Sequence, residues 1–141
     1  MNLYVESSAI VSRLLGQSNG AVVQDILERA ENVFSSELVL VECDRALVRA
    51  ESAGLLSAAQ AAGQRAILNH ESAYWTLLRI EGEVVERARR AFPVEPVRTL
   101  DALHLASLLI VRSIFADAEV LSFDERIRGN ATALGFQLAE T

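Results

Sequence analysis

The chain has 141 residues, a hydrophobic fraction of 51% and a formal net charge of −6. Its length suits one domain, residues 1–141, and its acidity is unlike the basic face of a bulk nucleic-acid binder, so contact with a nucleic acid is expected to be local, through a few arginines and bound divalent cations. All 13 basic residues are Arg; without Lys the chain cannot be a receiver-type phosphoacceptor or a haloacid-dehalogenase-type phosphatase, which both set a lysine beside their acids.

Mean hydropathy is +0.24, yet no segment reaches the ~18 unbroken apolar residues of a membrane span. The start has neither the basic stretch nor the apolar run of a signal peptide, and a cytoplasmic protein is expected. Surplus apolar surface then points to a homo-oligomer or a partner. Cys43 is the single cysteine, which excludes an intrachain disulfide and a thiolate zinc cage.

Leu3-Tyr4-Val5 predicts a buried strand that ends at Glu6. Ser7 and Ser8 are placed to cap a helix over 9–15, stopped by Gly16. A carboxylate where a first strand gives way to a helix stands where open α/β sheets bind ligands. A second helix follows over 19–30, then a strand over 33–35, then a helix over 37–53 with Ser36 as its cap. Glu42 lies inside that helix among Val39, Leu40, Val41 and Cys43. So apolar a setting is costly for a carboxylate unless it is paired or metal-bound, and Arg45 and Arg49 are the local ion partners.

Gly54 ends this helix, Ser57 caps another over 58–69, and His70 follows in a connection. Residues 74–80 read as a third strand and 83–91 as a short helix whose Arg87, Arg89 and Arg90 form a solvated face. Pro93 and Pro96 keep the approach to the next helix extended. That helix runs from a Thr99 N-cap to Val111 or Arg112 and is nearly all apolar, except for Asp101 in its first turn, where unpaired N–H groups favour a carboxylate. A strand over 118–122, a helix over 125–134 opened by Asp124 and a last strand over 136–138 complete the chain. Strands alternating with helices through short connections predict an α/β fold: a central parallel sheet of four to five short strands, covered by helices on both faces.

Four carboxylates stand out by placement: Glu6, Glu42, Asp101 and Asp124. Two of them, Glu6 and Asp124, follow strands at their carboxyl ends, so they can converge there. Oxygen ligands without thiolates suit Mg²⁺ or Mn²⁺, and such a metal can lower the pKa of a bound water for in-line attack on a phosphodiester.

Leu3 through Ala9, Ser36 through Glu42 with Arg45 and Arg49, residues 98–106 (Arg-Thr-Leu-Asp-Ala-Leu-His-Leu-Ala), and Val120 through Asp124 with Gly135 resemble the four signature blocks of PIN-domain proteins, most closely those of VapC-type toxins of bacterial toxin–antitoxin pairs. The resemblance implies a Mg²⁺- or Mn²⁺-dependent endoribonuclease acting on RNA, usually a homodimer, inhibited by a small VapB-like antitoxin. It makes Glu6 and Asp101 the principal metal ligands, Asp124 a further ligand and Glu42 a water or metal positioner, all four serving catalysis. Ser7 would orient Glu6 or a phosphate oxygen, and Arg98, Arg112 and Arg126 would contact phosphate. In one place the sequence departs from the family, which has Asp where Glu6 stands. A ligand longer by one methylene either pushes the metal outward or folds back. The alternative function is therefore a PIN-fold binding module that holds RNA or antitoxin with little cleavage.

Overall fold

The computed structural model describes residues 1–139. Among them, five strands, β1 (Asn2–Val5), β2 (Asn32–Ser36), β3 (Thr76–Leu78), β4 (Glu119–Leu121) and β5 (Gln137–Leu138), form one sheet in the order β3-β2-β1-β4-β5. Every pairing is parallel: β1 lies between β2 and β4, with Leu3 opposite both Val33 and Glu119. Seven helices connect the strands: α1 (Ser7–Leu14), α2 (Gly20–Arg29), α3 (Leu38–Ser52), α4 (Ala58–Ser72), α5 (Gly82–Ala88), α6 (Thr99–Ile114) and α7 (Glu125–Ala133). No described helix is long and apolar enough to cross a membrane.

Alternation along the central strands divides the interior into two cores. Leu3, Val5 and Leu121 face one side and pack with Ile10, Val23, Val39, Cys43, Leu47 and Leu68 from α1 to α4. Tyr4, Phe34 and Val120 face the other and pack with Leu105, Leu108, Ile127 and Ala131 from α6 and α7. Leu3, Tyr4 and Val5 are wholly buried. Sides of this kind contribute about 1.5–3 kcal/mol each, so β1 anchors both layers. The expected sheet covered on both faces is what forms.

Several boundaries differ from the sequence reading. Glu6, and neither Ser7 nor Ser8, is the N-cap of α1, its carboxylate accepting the Ser8 N–H. Arg98 is the N-cap of α6 and Thr99 its first residue, because Asp101 reaches back to the Arg98 N–H at 3.0 Å and closes the turn from within. Helix α4 runs to Ser72, so His70 lies inside it; neither Gly nor Pro stands between Asn69 and Ser72 to stop it. With no breaker after Arg112, α6 likewise continues to Ile114. Arg87 is not merely solvated, since its guanidinium lies 4.1 Å over the Phe92 ring.

Because the strands are parallel, their carboxyl ends share one edge. Glu6 leaves β1 there, Asp124 follows β4 there, and α3 starts there directly after β2, carrying Glu42 about 6 Å along its axis. The first turn of α6 delivers Asp101 to the same edge.

Candidate functional site

Glu6, Glu42, Asp101 and Asp124 line a single cleft of about 420 Å³, together with Arg98, Thr99 and Leu100. Residues up to 118 positions apart in the chain thus meet at one place, 124 − 6 by their numbers.

Glu6 is 6% exposed and surrounded by serines. Its Oε1 accepts from Ser7 Oγ at 2.9 Å and from the Ser8 N–H at 3.1 Å. Its Oε2 accepts from Ser8 Oγ at 2.5 Å and from Ser122 Oγ at 2.7 Å. These bonds fill the carboxylate's acceptor positions. The hydroxyls of Ser8 and Ser122 accept in turn from the N–H groups of Phe123 and Asp124. The cradle therefore fastens the loop after β4 to the start of α1.

Glu42 is half-buried, and its Oε1 lies 2.6 Å from His104 Nε2. The other ring nitrogen, Nδ1, is 2.9 Å from the hydroxyl of Tyr4. Burial, with the charge of Glu6 adding to it, pushes the Tyr4 hydroxyl far above the ordinary phenol range, so it stays protonated and can donate. In the neutral ring Nδ1 then accepts, and Nε2–H donates to Glu42. Glu6, Glu42 and His104 each place one atom within 4.8 Å of the others. Arg45 and Arg49, the ion partners that the sequence offers Glu42 as the alternative to a metal, are both exposed, and His104 is the residue bonded to it. The one signal for His104 in the sequence is its spacing, i+3 from Asp101, which puts both on one face of α6.

Asp101 is buried and accepts the Arg98 N–H through Oδ2. Asp124 caps α7 through Oδ1, which accepts the N–H groups of Arg126 and Ile127. Neither Asp101 Oδ1, Asp124 Oδ2 nor Glu42 Oε2 accepts a hydrogen bond among the described residues.

The PIN domain family matches residues 3–132. The chain belongs to the PIN-domain family. Its five-stranded parallel sheet with helices on both faces agrees with that membership, and PIN domains are generally metal-dependent nucleases. No curated protein matches the chain.

In this PIN domain the donor types of the cleft suit a hard divalent cation, and among the described residues the potential ligand atoms that stand within 4.8 Å of one another are those of Glu6, Glu42 and His104, with Asp101 and Asp124 further out along the lining. Glu42, Asp101 and Asp124, on separate elements, line one cleft, each keeps an oxygen without a protein donor among the described residues, and no thiolate lines it. Glu6 differs, because its oxygens already serve the serines.

The other residues singled out from the sequence fall at varying distances from the cleft. Ser7 is buried and orients Glu6. Arg98 lines the cleft, its Nε 3.7 Å from Asp101 Oδ2 with the side chain 68% exposed, an arrangement that contributes little as an ion pair. Arg112 sits at the far end of α6, donating to the Leu134 carbonyl and lying 4.2 Å over the Phe136 ring. Arg126 is exposed and is not brought into the lining of the cleft. Cys43, next to Glu42, is buried; burial and the charge of Glu42 push its thiol up to about 12.

Proposed function

We propose that this PIN domain is a Mg²⁺- or Mn²⁺-dependent endoribonuclease and the toxin of a VapC-type pair. The observation that carries the reading is the convergence of Glu42, Asp101 and Asp124 on one cleft, each with an unclaimed oxygen. Those three residues would hold the cation, which when bound supplies an acidified water and charge neutralisation for a phosphodiester. Asp101 is fixed by its bond to the Arg98 N–H, Asp124 by its capping bonds, and Glu42 by His104. Their positions are therefore set before substrate arrives, as a reaction dependent on alignment requires. Arg98, at the rim, is available to a phosphate oxygen.

The hydrogen-bonded state of Glu6 supports a second reading, a PIN-fold module that binds RNA or antitoxin and cleaves weakly. To ligate a metal, Glu6 has to release a serine bond.

A homodimer and an antitoxin belong to the same proposal. Val41 and Ile67, on α3 and α4, and Leu55 between them are 59%, 45% and 75% exposed, which supports an apolar partner surface. An arginine of the antitoxin is the natural anchor for the acidic cleft. The deciding measurement is cleavage of a structured RNA by the purified protein in Mg²⁺ and in Mn²⁺, with chelator as control, alongside growth after induction with and without the adjacent upstream open reading frame. Metal-dependent cleavage, and growth arrest relieved by the neighbour, are the expected results. RNA binding without cleavage in either metal selects the second reading.

A further inference from the structure

Beside the acidic cleft, a groove of about 440 Å³ runs between α5, the following connection and the start of α6. Its floor is apolar, with Val85, Ala88 and Leu103 among its residues, and its walls carry Arg89, Arg90 and Arg98. It shares Arg98 and Thr99 with the acidic cleft, so the two recesses adjoin at those residues.

The arginines are available. Arg90 makes no side-chain hydrogen bond or ion pair among the described residues. Arg89 reaches only Glu86, at 3.2 Å with both side chains 72% exposed, a pairing that water and salt readily displace. Glu95, the one acid in the groove, turns its carboxylate back to the N–H groups of Phe92 and Val97. Three cations thus face one acid on a chain whose net charge is −6.

We propose that this groove is a binding track for single-stranded RNA on one side of the scissile bond. The inference rests on the ribonuclease reading and extends it to Arg89 and Arg90. Phosphates would sit on the guanidinium groups, while unstacked bases lie against the apolar floor and the guanidinium planes. A duplex keeps its bases stacked inside and cannot use such a floor. An acidic protein segment is the competing occupant. Charge and adjacency favour RNA: the groove sets three arginines against one acid, and a polyanion held on them passes Arg98 and Thr99 to reach the carboxylates.

The test uses Arg89→Gln/Arg90→Gln, two exposed substitutions, made in the parent and in an Asp101→Asn background intended to bind without cleaving. Binding of a fluorescent single-stranded RNA to the Asp101→Asn protein in Mg²⁺ is measured across a salt series. The double substitution is expected to weaken binding about tenfold and to reduce the salt slope by about 1.4, from roughly 0.7 per phosphate contact in single strands. In the cleaving protein, KM should rise by a similar factor for a long RNA, with kcat within about twofold, and a very short substrate confined to the cleft should be unaffected. Unchanged affinity and salt slope in a protein that still cleaves RNA overturn the track and leave the nuclease reading intact. A parent that neither binds nor cleaves RNA overturns both. If the double variant loses antitoxin binding while RNA binding is untouched, the groove belongs to a protein partner and the track is wrong.

Discussion

On one side of the acidic cleft, the Glu6 carboxylate accepts four hydrogen bonds from three serines and is 6% exposed. On the other, Glu42, Asp101 and Asp124 are each fixed through one oxygen, with the second accepting nothing among the described residues. The contrast follows from position. Glu6 has to end β1, start α1 and hold the loop after β4, and its extra methylene lets it reach Ser8 and Ser122 together. Asp101 and Asp124 have only one helix turn to satisfy, which a single carboxylate oxygen can do. Equal formal charge at one cleft therefore does not mean equal readiness to bind a cation.

The largest expected effect comes from the second side. Asp101→Asn should lower single-turnover RNA cleavage on the order of a hundredfold or more, the scale of loss when an aligned group fails. The amide oxygen can still accept the Arg98 N–H, so the circular dichroism spectrum and melting curve should match the parent. If cleavage is unaltered, the three unclaimed oxygens are not where the chemistry occurs.

The first side should answer in stability. In Glu6→Gln an NH₂ group replaces an acceptor that faces serine hydroxyls, at a cost of about 2 kcal/mol, readable as a lower denaturant midpoint with unchanged slope. Glu6→Asp should keep the cap on α1, lose reach to Ser122 at about 1 kcal/mol, and raise cleavage in Mg²⁺ if the shorter carboxylate turns outward. Slower cleavage by Glu6→Asp would mean that the site has adapted around glutamate, and the division between the two sides would collapse.

Smaller effects sharpen the contrast. His104→Gln cannot serve Tyr4 and Glu42 at once, and loss of an orienting partner of this kind lowers activity about tenfold; single-turnover rates at saturating metal are the readout. Tyr4→Phe should do the same to a lesser degree. Arg112→Ala should leave cleavage at the parent's rate and lower stability by about 1 kcal/mol, from its bond to the Leu134 carbonyl. A slower enzyme with unchanged affinity for RNA would place Arg112 in catalysis after all.

Most of the fold was legible because it is written locally. Strand alternation divides Leu3 and Val5 from Tyr4, and Gly16, Gly54 and Gly135 end helices at φ of 66°, 75° and 88°, a backbone region that few other residues enter. The four acids were legible for a similar reason, each standing at a strand end, in a helix first turn or in an apolar run. Long-range choices were not. Whether Glu6 or Ser7-Ser8 caps α1 depends on Ser122, 116 residues away. Whether Glu42 pairs with Arg45 or with His104 depends on a contact spanning 62 residues. Periodicity identifies the faces of elements; it does not say which polar groups meet across them.

Cys43 gives the site a clock. It follows Glu42 on α3, is wholly buried, and is the chain's single thiol. Raised from 9.0 to about 12, its thiol is neutral in the closed protein at ordinary pH, and a neutral buried thiol does not react with alkylating reagents. The sign of the shift means that the associated stability is complete below about pH 9 and is lost as pH rises toward 12. Alkylation at neutral pH then reports exposure of the buried stretch of α3 that also carries Glu42. The labelling rate with and without added Mg²⁺ reads whether a cation at the acidic cleft makes that exposure rarer, without any introduced label.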